Sequence, residues 1–327
     1  MLRNYYKSVA LAFAAMTAIV AVSPPVSAQA WPAKVIKFVV PFSAGGANDL
    51  VARIAAEGLS KEFGQTVIVD NRPGAGAVIG ANLVAKSPPD GYTFLVGAVG
   101  VVTNSFIFKK LPYADSDLIP VSLIAVSPSI IVVNPNVPAK NLAEFVAYAK
   151  SRGNEGLDFA TAGIGTTPHF VIEMLEEQYG IKLTPIPYKS GSEGVTAVLG
   201  GQVPVTSESS AVVLSHIKQG KLKPIASTWV KRVRAVPDIP TAAEQGAPSI
   251  KIGHWAGVFA PKGTPEAIMQ RVNSALQRVI GSPETQNRMI AAGIEPEGGT
   301  QAEFIAFIKD ERQRLGALAK KADMKAD

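Results

Sequence analysis

The stretch VVPFSAGGANDLVARIAAEGLSKEFG, residues 39 to 64, decides the fold. An apolar run ends at Pro41-Phe42, and a small-residue loop with Gly45-Gly46 follows. Leu50, Val51, Ile54, Ala55, Leu59 and Phe63 then recur with the 3.6-residue period of a helix. Gly64 closes that helix as a left-handed cap. A strand, a glycine loop and a helix in this order make an anion site, because free N–H groups and the positive end of the helix dipole face the loop. The anion is either a phosphate on a nucleotide or a carboxylate on a carried solute, and residues further out separate the two.

Working outward, residues 35–40, 66–69 and 92–96 read as buried strands, with a small-residue helix over 77–86. This is β-α-β-α-β, which implies parallel strands with right-handed crossovers. After an irregular stretch at 98–118, strands are expected at 121–126, 130–133, 157–161, 184–187, 203–206, 223–227 and 255–260. Helices are expected from Asn141 with Glu144, and over 168–179, 193–199 and 212–219. The C-terminal part reads as helices without strands of their own. They start at Thr264-Pro265-Glu266, at Ser282-Pro283-Glu284 and at Thr300 with Glu303, each with a polar N-cap, the first two with proline at N1. The expected architecture is two α/β lobes. Residues 31–127 plus 253–327 form the first, residues 128–252 the second, and hinges lie near 128–134 and 252–260.

Four segments at strand ends are rich in Gly, Ser and Thr: residues 42–49, 97–100, 161–169 and 207–210. In open parallel sheets ligands bind beyond the carboxyl ends of strands. The expected ligand contacts are Phe42, Ser43, Gly46, Asn48 and Asp49 in the first segment and Val99 in the second. Thr161, Gly165, Thr166, Thr167 and His169 come from the third, Tyr188 from a neighbouring strand end, and Glu208 and Ser209 from the fourth. Phe42, Val99 and Tyr188 would supply side walls. Asp49, at a helix start, reads first as an organiser of its loop. Glu208 either recognises an amine or hydroxyl on the ligand or turns to solvent at a helix terminus.

Enzyme patterns are missing. Gly74-x-Gly76 with Gly80 is one residue longer than a dinucleotide fingerprint, and no acidic residue ends the next strand. That segment reads as a close-packed glycine turn. There is no Walker A sequence, H-E-x-x-H or G-x-S-x-G. His169, His216 and His254 lack metal-ligand spacing, and His216 reads as surface or satisfied core. No catalytic residue, metal or cofactor is expected. A site of dipoles and hydroxyls binds and releases, so a carried carboxylate fits better than a reacting phosphate.

Arg3 and Lys7, an apolar stretch over 8–22, and Ala28-Gln29-Ala30 read as a signal peptide over 1–30, cleaved near Ala28 or Ala30. The stretch is shorter than the roughly 20 residues of a membrane span. With no cysteine in the chain, no lipid-modified cysteine follows. The formal net charge of +6 is spread along the chain, and the densest cluster, Lys231-Arg232 with Arg234, has no interleaved aromatics, so nucleic acid is not an expected partner.

WPAKVIKFVVPFSAGGANDLVAR resembles the opening of mature substrate-binding proteins of the tripartite tricarboxylate transporter family, also called the Bug family. VIVDNRPGAGAVIGANLVAKSPPDGYTFLVG, LPYADSDLIPVSLIA, PYKSGSEGVTAVLGGQV, VPDIPTAAEQG and GVFAPKGTPEAI continue the likeness in order. The resemblance implies a periplasmic binding-protein-like α/β fold whose two lobes, with parallel-rich sheets, close over a small organic carboxylate. It also implies a periplasmic, monomeric solute receptor that delivers its cargo to membrane subunits of the tripartite type. Sensing for a signalling partner is the alternative, and a hydrolase or transferase on the same fold a weaker one. Departures stand at Asn48, where the family often has threonine, at Pro204, where it often has aspartate, and at Ser207-Glu208-Ser209, where it often has F-D-S.

Overall fold

β1 (Ile36–Val40), β2 (Val67–Asn71) and β3 (Thr93–Gly97) form where short β-branched and aromatic runs are bounded by turn residues. β1 lies between the other two and pairs in parallel with both. The crossovers contain α1 (Ala47–Phe63), closed by left-handed Gly64 at φ 63°, and α2 (Val78–Ala85). This computed structural model describes residues 31–326, so the expected signal segment and its cleavage site lie outside the described residues. Everything below belongs to the unit Lys34–Asp327.

The two strands expected at 121–126 and 130–133 are one, β4 (Leu118–Val133). Pro128 interrupts the apolar run but not the strand, since it still pairs opposite Gly253 of β9 (Gly253–Pro261). Proline removes one ladder donor without changing extended φ. β9 runs antiparallel to β3 on one side and to β4 from Leu118 to Pro128 on the other. From Ser129 onward β4 changes partners, pairing antiparallel with β7 (Val205–Ser209) and β8 (Lys223–Ser227). β5 (Leu157–Thr161) is parallel to both β6 (Leu183–Pro187) and β7. α4 (Leu142–Ser151), α5 (Thr167–Tyr179), α6 (Gly191–Leu199) and α7 (Ser210–Lys218) alternate with these strands.

Three further expectations need correction. The stretch expected to be irregular contains α3 (Gly100–Ile107), whose Val-Val-Thr start and lack of a capping side chain hid it. The C-terminal part is not strand-free, because β10 (Glu295–Pro296) pairs with Ala125 and Val126. α8 (Glu266–Gly281) begins with Pro265 in the cap position, and the Thr264 hydroxyl donates to the Pro261 carbonyl (2.8 Å) instead of capping. α9 (Pro283–Ala291) and α10 (Gln301–Lys321) do start at Ser282 and at the reciprocal Thr300–Glu303 box.

α10 lays Phe304 and Phe307 against Trp255 and Phe259 of β9, with ring centroids 5.3 to 6.3 Å apart. A Cβ on Gly257 would stand 2.2 Å from the Phe304 ring, so only glycine permits this close seating. Beneath the rings, Trp255 Nε1 donates to the fully buried Glu311 carboxylate (3.2 Å), which Arg314 also meets. The layer fixes β9, and β9 in turn holds the loop at residues 42–49 through the Trp255 carbonyl.

Candidate functional site

Asp49 organises the first loop from inside. Its Oδ2 accepts from the Gly45 N–H and from Arg53 Nε, both at 2.9 Å, and its Oδ1 accepts from Asn71 Nδ2 at 2.9 Å. Asn71, at the end of β2, also donates to the Phe42 carbonyl (3.1 Å). Burial alone would raise the Asp49 carboxyl, but the bonds from Arg53, Gly45 and Asn71 outweigh it and hold it below the ordinary value. Asn48 is buried and donates to the Trp255 carbonyl (3.1 Å), tying the loop to β9. Ser43 and Gly45 stay exposed, and Phe42 and Gly46 half-buried.

The second segment also leads into a helix, α3, which begins right after buried Val99. In the third, Thr161 Oγ1 accepts from the Gly163 N–H (3.2 Å), and Thr166 Oγ1 donates to the Gly163 carbonyl (2.7 Å). Gly163 and Gly165 have φ of 102° and 76°, the left-handed region that bends the loop back over itself. Thr167 is buried at the start of α5. His169 Nε2 lies 3.5 Å from Glu173, and its Nδ1 is buried without a hydrogen-bond partner. The Tyr188 N–H donates to the Thr161 carbonyl (2.8 Å), which brings the ends of β5 and β6 together.

The fourth segment is strand rather than loop. Glu208 and Ser209 are the last residues of β7, and α7 starts immediately at Ser210. Ser209 Oγ meets Ser127 Oγ at 2.6 Å across to β4. Glu208 does not turn to solvent: it is 6% exposed, accepts from the Ser209 N–H (2.7 Å) and lies 3.4 Å from His254 Nε2. Burial pushes the His254 imidazole below its ordinary value, with Glu208 opposing.

The helix starts share a feature. α1, α3, α5 and α7, which follow the four segments, have no capping side chain, and neither do α2 and α8. α4, α6, α9 and α10 are capped by Asn141, Ser190, Ser282 and Thr300. At α1 and α5 the first-turn N–H groups are left for another acceptor, whereas at α3 Val101 and Val102 donate to the Ala98 and Val99 carbonyls (2.9 and 3.0 Å) and at α7 Ala211 donates to Ser127 Oγ (3.2 Å). Gly74, Gly76 and Gly80 are taken up in packing, since a Cβ on Gly80 would stand 2.7 Å from Pro41.

A groove of ≈ 480 Å³ lies elsewhere, at the C-terminal ends of α6 and α7, lined by Asn134, Pro135, Asn136, Leu199, His216 and Lys221. His216 leaves a buried, unpartnered Nδ1 there. The groove holds none of the expected contacts. Among the described residues no group of three His, Asp or Glu is placed to hold a metal ion, and no helix is long and apolar enough to cross a membrane. Sequence reading missed the support shell of Arg53, Asn71, Ile107, His254 and Trp255. Only Arg53, four residues after Asp49, carried a local signal.

The tripartite tricarboxylate transporter family receptor pattern matches residues 51–324. The chain belongs to this family. That membership places it among solute-binding receptors rather than enzymes. Solved relatives agree with the family fold. The R. palustris protein Rpa4515, solved with adipate, is 32% identical, with a TM-score of 0.83 over 90% of this chain and 98% of its own. The periplasmic binding protein BugD is 34% identical, with a TM-score of 0.81 over 90% of this chain and 100% of its own. MatC of Rhodopseudomonas palustris, solved with bound malate, is 30% identical, with a TM-score of 0.79 over 88% of this chain and 99% of its own. As in other members of the family, the fold is that of a periplasmic binding protein.

Proposed function

We propose that this receptor captures one small organic carboxylate in the periplasm, between two lobes, and hands it to membrane subunits of a tripartite tricarboxylate-type transporter. The carrying observation is the pair of uncapped helix starts, α1 and α5, at the Gly/Ser/Thr-rich segments 42–49 and 161–169, whose first-turn N–H groups stay available. Such ends replace water around an anion with fixed N–H donors. The adipate and malate bound to the relatives support a carboxylate as that anion.

The ligand contacts of this reading are Phe42, Ser43, Gly46, Asn48, Val99, Thr161, Gly165, Thr166, Thr167, His169, Tyr188, Glu208 and Ser209, with Asp49 holding the first loop. The first lobe is β1–β3 with β9 and the C-terminal helices, and residues 128–252 form the second. The change of β4 partners between Pro128 and Ser129 supports a hinge there. Lobe closure of the hinge type would present the loaded form, as a monomer, to the transporter.

The test is thermal melting of ligand-free protein, refolded from denaturant, with carboxylates, amino acids and nucleotides. A ligand that binds only the folded state raises Tm by mass action. A rise with a carboxylate, recovered chemically unaltered, is expected, and it should shrink when Thr166 becomes alanine. A rise with nucleotides alone overturns the reading.

A further inference from the structure

Glu208 is a buried carboxylate without a full counter-charge. Its partners are the Ser209 N–H at 2.7 Å and His254 Nε2 at 3.4 Å, and among the described residues no lysine or arginine pairs with it. His254 Nε2 is itself buried without a hydrogen bond. Its desolvated ring favours the neutral form, so it does not neutralise the glutamate. The other carboxylate oxygen, Oε2, lies 1.7 Å from where a Cβ on Gly191 would stand. The carboxylate therefore rests on the bare Cα of the first residue of α6.

This places Glu208 where the segments meet. β5 and β7 are parallel, so Thr161 and Glu208 end at the same edge, and Ser190-Gly191 follows the end of β6. His254 precedes Trp255, whose carbonyl holds Asn48 of the first loop. A buried negative charge here repels a second ligand carboxylate and lacks the donor that a ligand can bring. An aspartate, one methylene shorter, would not reach Gly191 from the same backbone.

Resting on the receptor reading above, we infer that Glu208 sets the ligand class: a carboxylate whose far end carries an ammonium or hydroxyl donor, in preference to an α,ω-dicarboxylate. The test is calorimetric titration of straight-chain acids of matched length, ω-amino, ω-hydroxy and α,ω-dicarboxylic. It uses the wild-type protein, Glu208→Gln and Glu208→Asp, each checked for folding by circular dichroism. The wild type is expected to bind at least one donor-bearing acid at least about tenfold tighter than its dicarboxylate counterpart, as one hydrogen bond to a charged group implies. Glu208→Gln should erase that ratio, chiefly for the ammonium ligand, and Glu208→Asp should keep its direction. Dicarboxylates bound as tightly by the wild type, or a ratio untouched by Glu208→Gln, overturn the inference and leave the receptor reading standing. Binding of no carboxylate in any class overturns both.

Discussion

Ile107 Cδ1 lies 2.5 Å from where a Cβ on Gly165 would stand, so the last residue of α3 rests directly on the loop that opens α5. Gly165 also has φ of 76°. Gly165→Ala therefore combines a strained backbone with overpacking, and should cost about 1–3 kcal/mol in urea unfolding. Ile107→Ala carries its own loss, but the double variant should lose less than the sum of the two single losses, because the two sites share one contact. Additive losses in the double variant would show that the contact is not energetic.

The Asp49 hub yields a second expectation. Asp49→Asn removes a charge that three donors address and should cost about 1.5–3 kcal/mol. The folded carboxyl titrates below its ordinary value, so its stabilisation is fully present above the unfolded value, about 3.9. It is lost as pH falls through the lower, folded value. The stability difference between wild type and Asp49→Asn, followed from pH 7 to pH 3, should shrink only at the acid end. A difference that grows on acidification would contradict the hub.

His254 has the opposite logic. The unfolded imidazole takes up a proton below about pH 6.5, whereas the buried one resists it. Protons bound by the unfolded state exceed those bound by the native state, so this group makes stability fall as pH drops from about 6.5 toward the folded value. His254→Gln should flatten the slope of Tm against pH between 5 and 7. An unchanged slope would assign it to other groups.

Under the aromatic layer, burial pushes the Glu311 carboxyl above its ordinary value, against the pull of Arg314 and Trp255. Glu311→Ala leaves the Trp255 N–H and the Arg314 guanidinium without this acceptor. The expected loss is about 3–5 kcal/mol, at the low end because Arg314 is partly exposed. Glu311→Gln keeps an acceptor and should lose less. Equal losses would mean that packing, not pairing, decides this site.

What the chain spelled out locally was read correctly except at the start of α8, where Pro265 and not Thr264 takes the cap position. The 3.6-residue period of α1, its Gly64 cap and the capping box at Thr300 are all made by residues a few positions apart, and the parallel β1–β3 unit follows from the order of its elements. Structure made by distant partners was not legible. β4 continues through Pro128 because Gly253 pairs opposite it, and α3 forms without a cap because α10 packs over it. At the candidate site, loop composition pointed to the residues, but their support came from afar: Asn48 reaches Trp255, and Glu208 reaches His254 and Gly191. The burial of Glu208 is decided by glycine and histidine neighbours that no local pattern marks.

The insertion of β9 between β3 and β4 also orders events during biosynthesis. A chain emerging N-terminus first exposes the flanks of β3 and β4 long before residues 253–261 are made to bridge them. Domains close only when their distant strands arrive. The sheet of β1–β3 thus stays incomplete until nearly the whole chain has been made. Chains truncated before Gly253 should be cut by protease within residues 34–127 at rates typical of unfolded protein, and protection there should appear only once Pro261 and α10 are present.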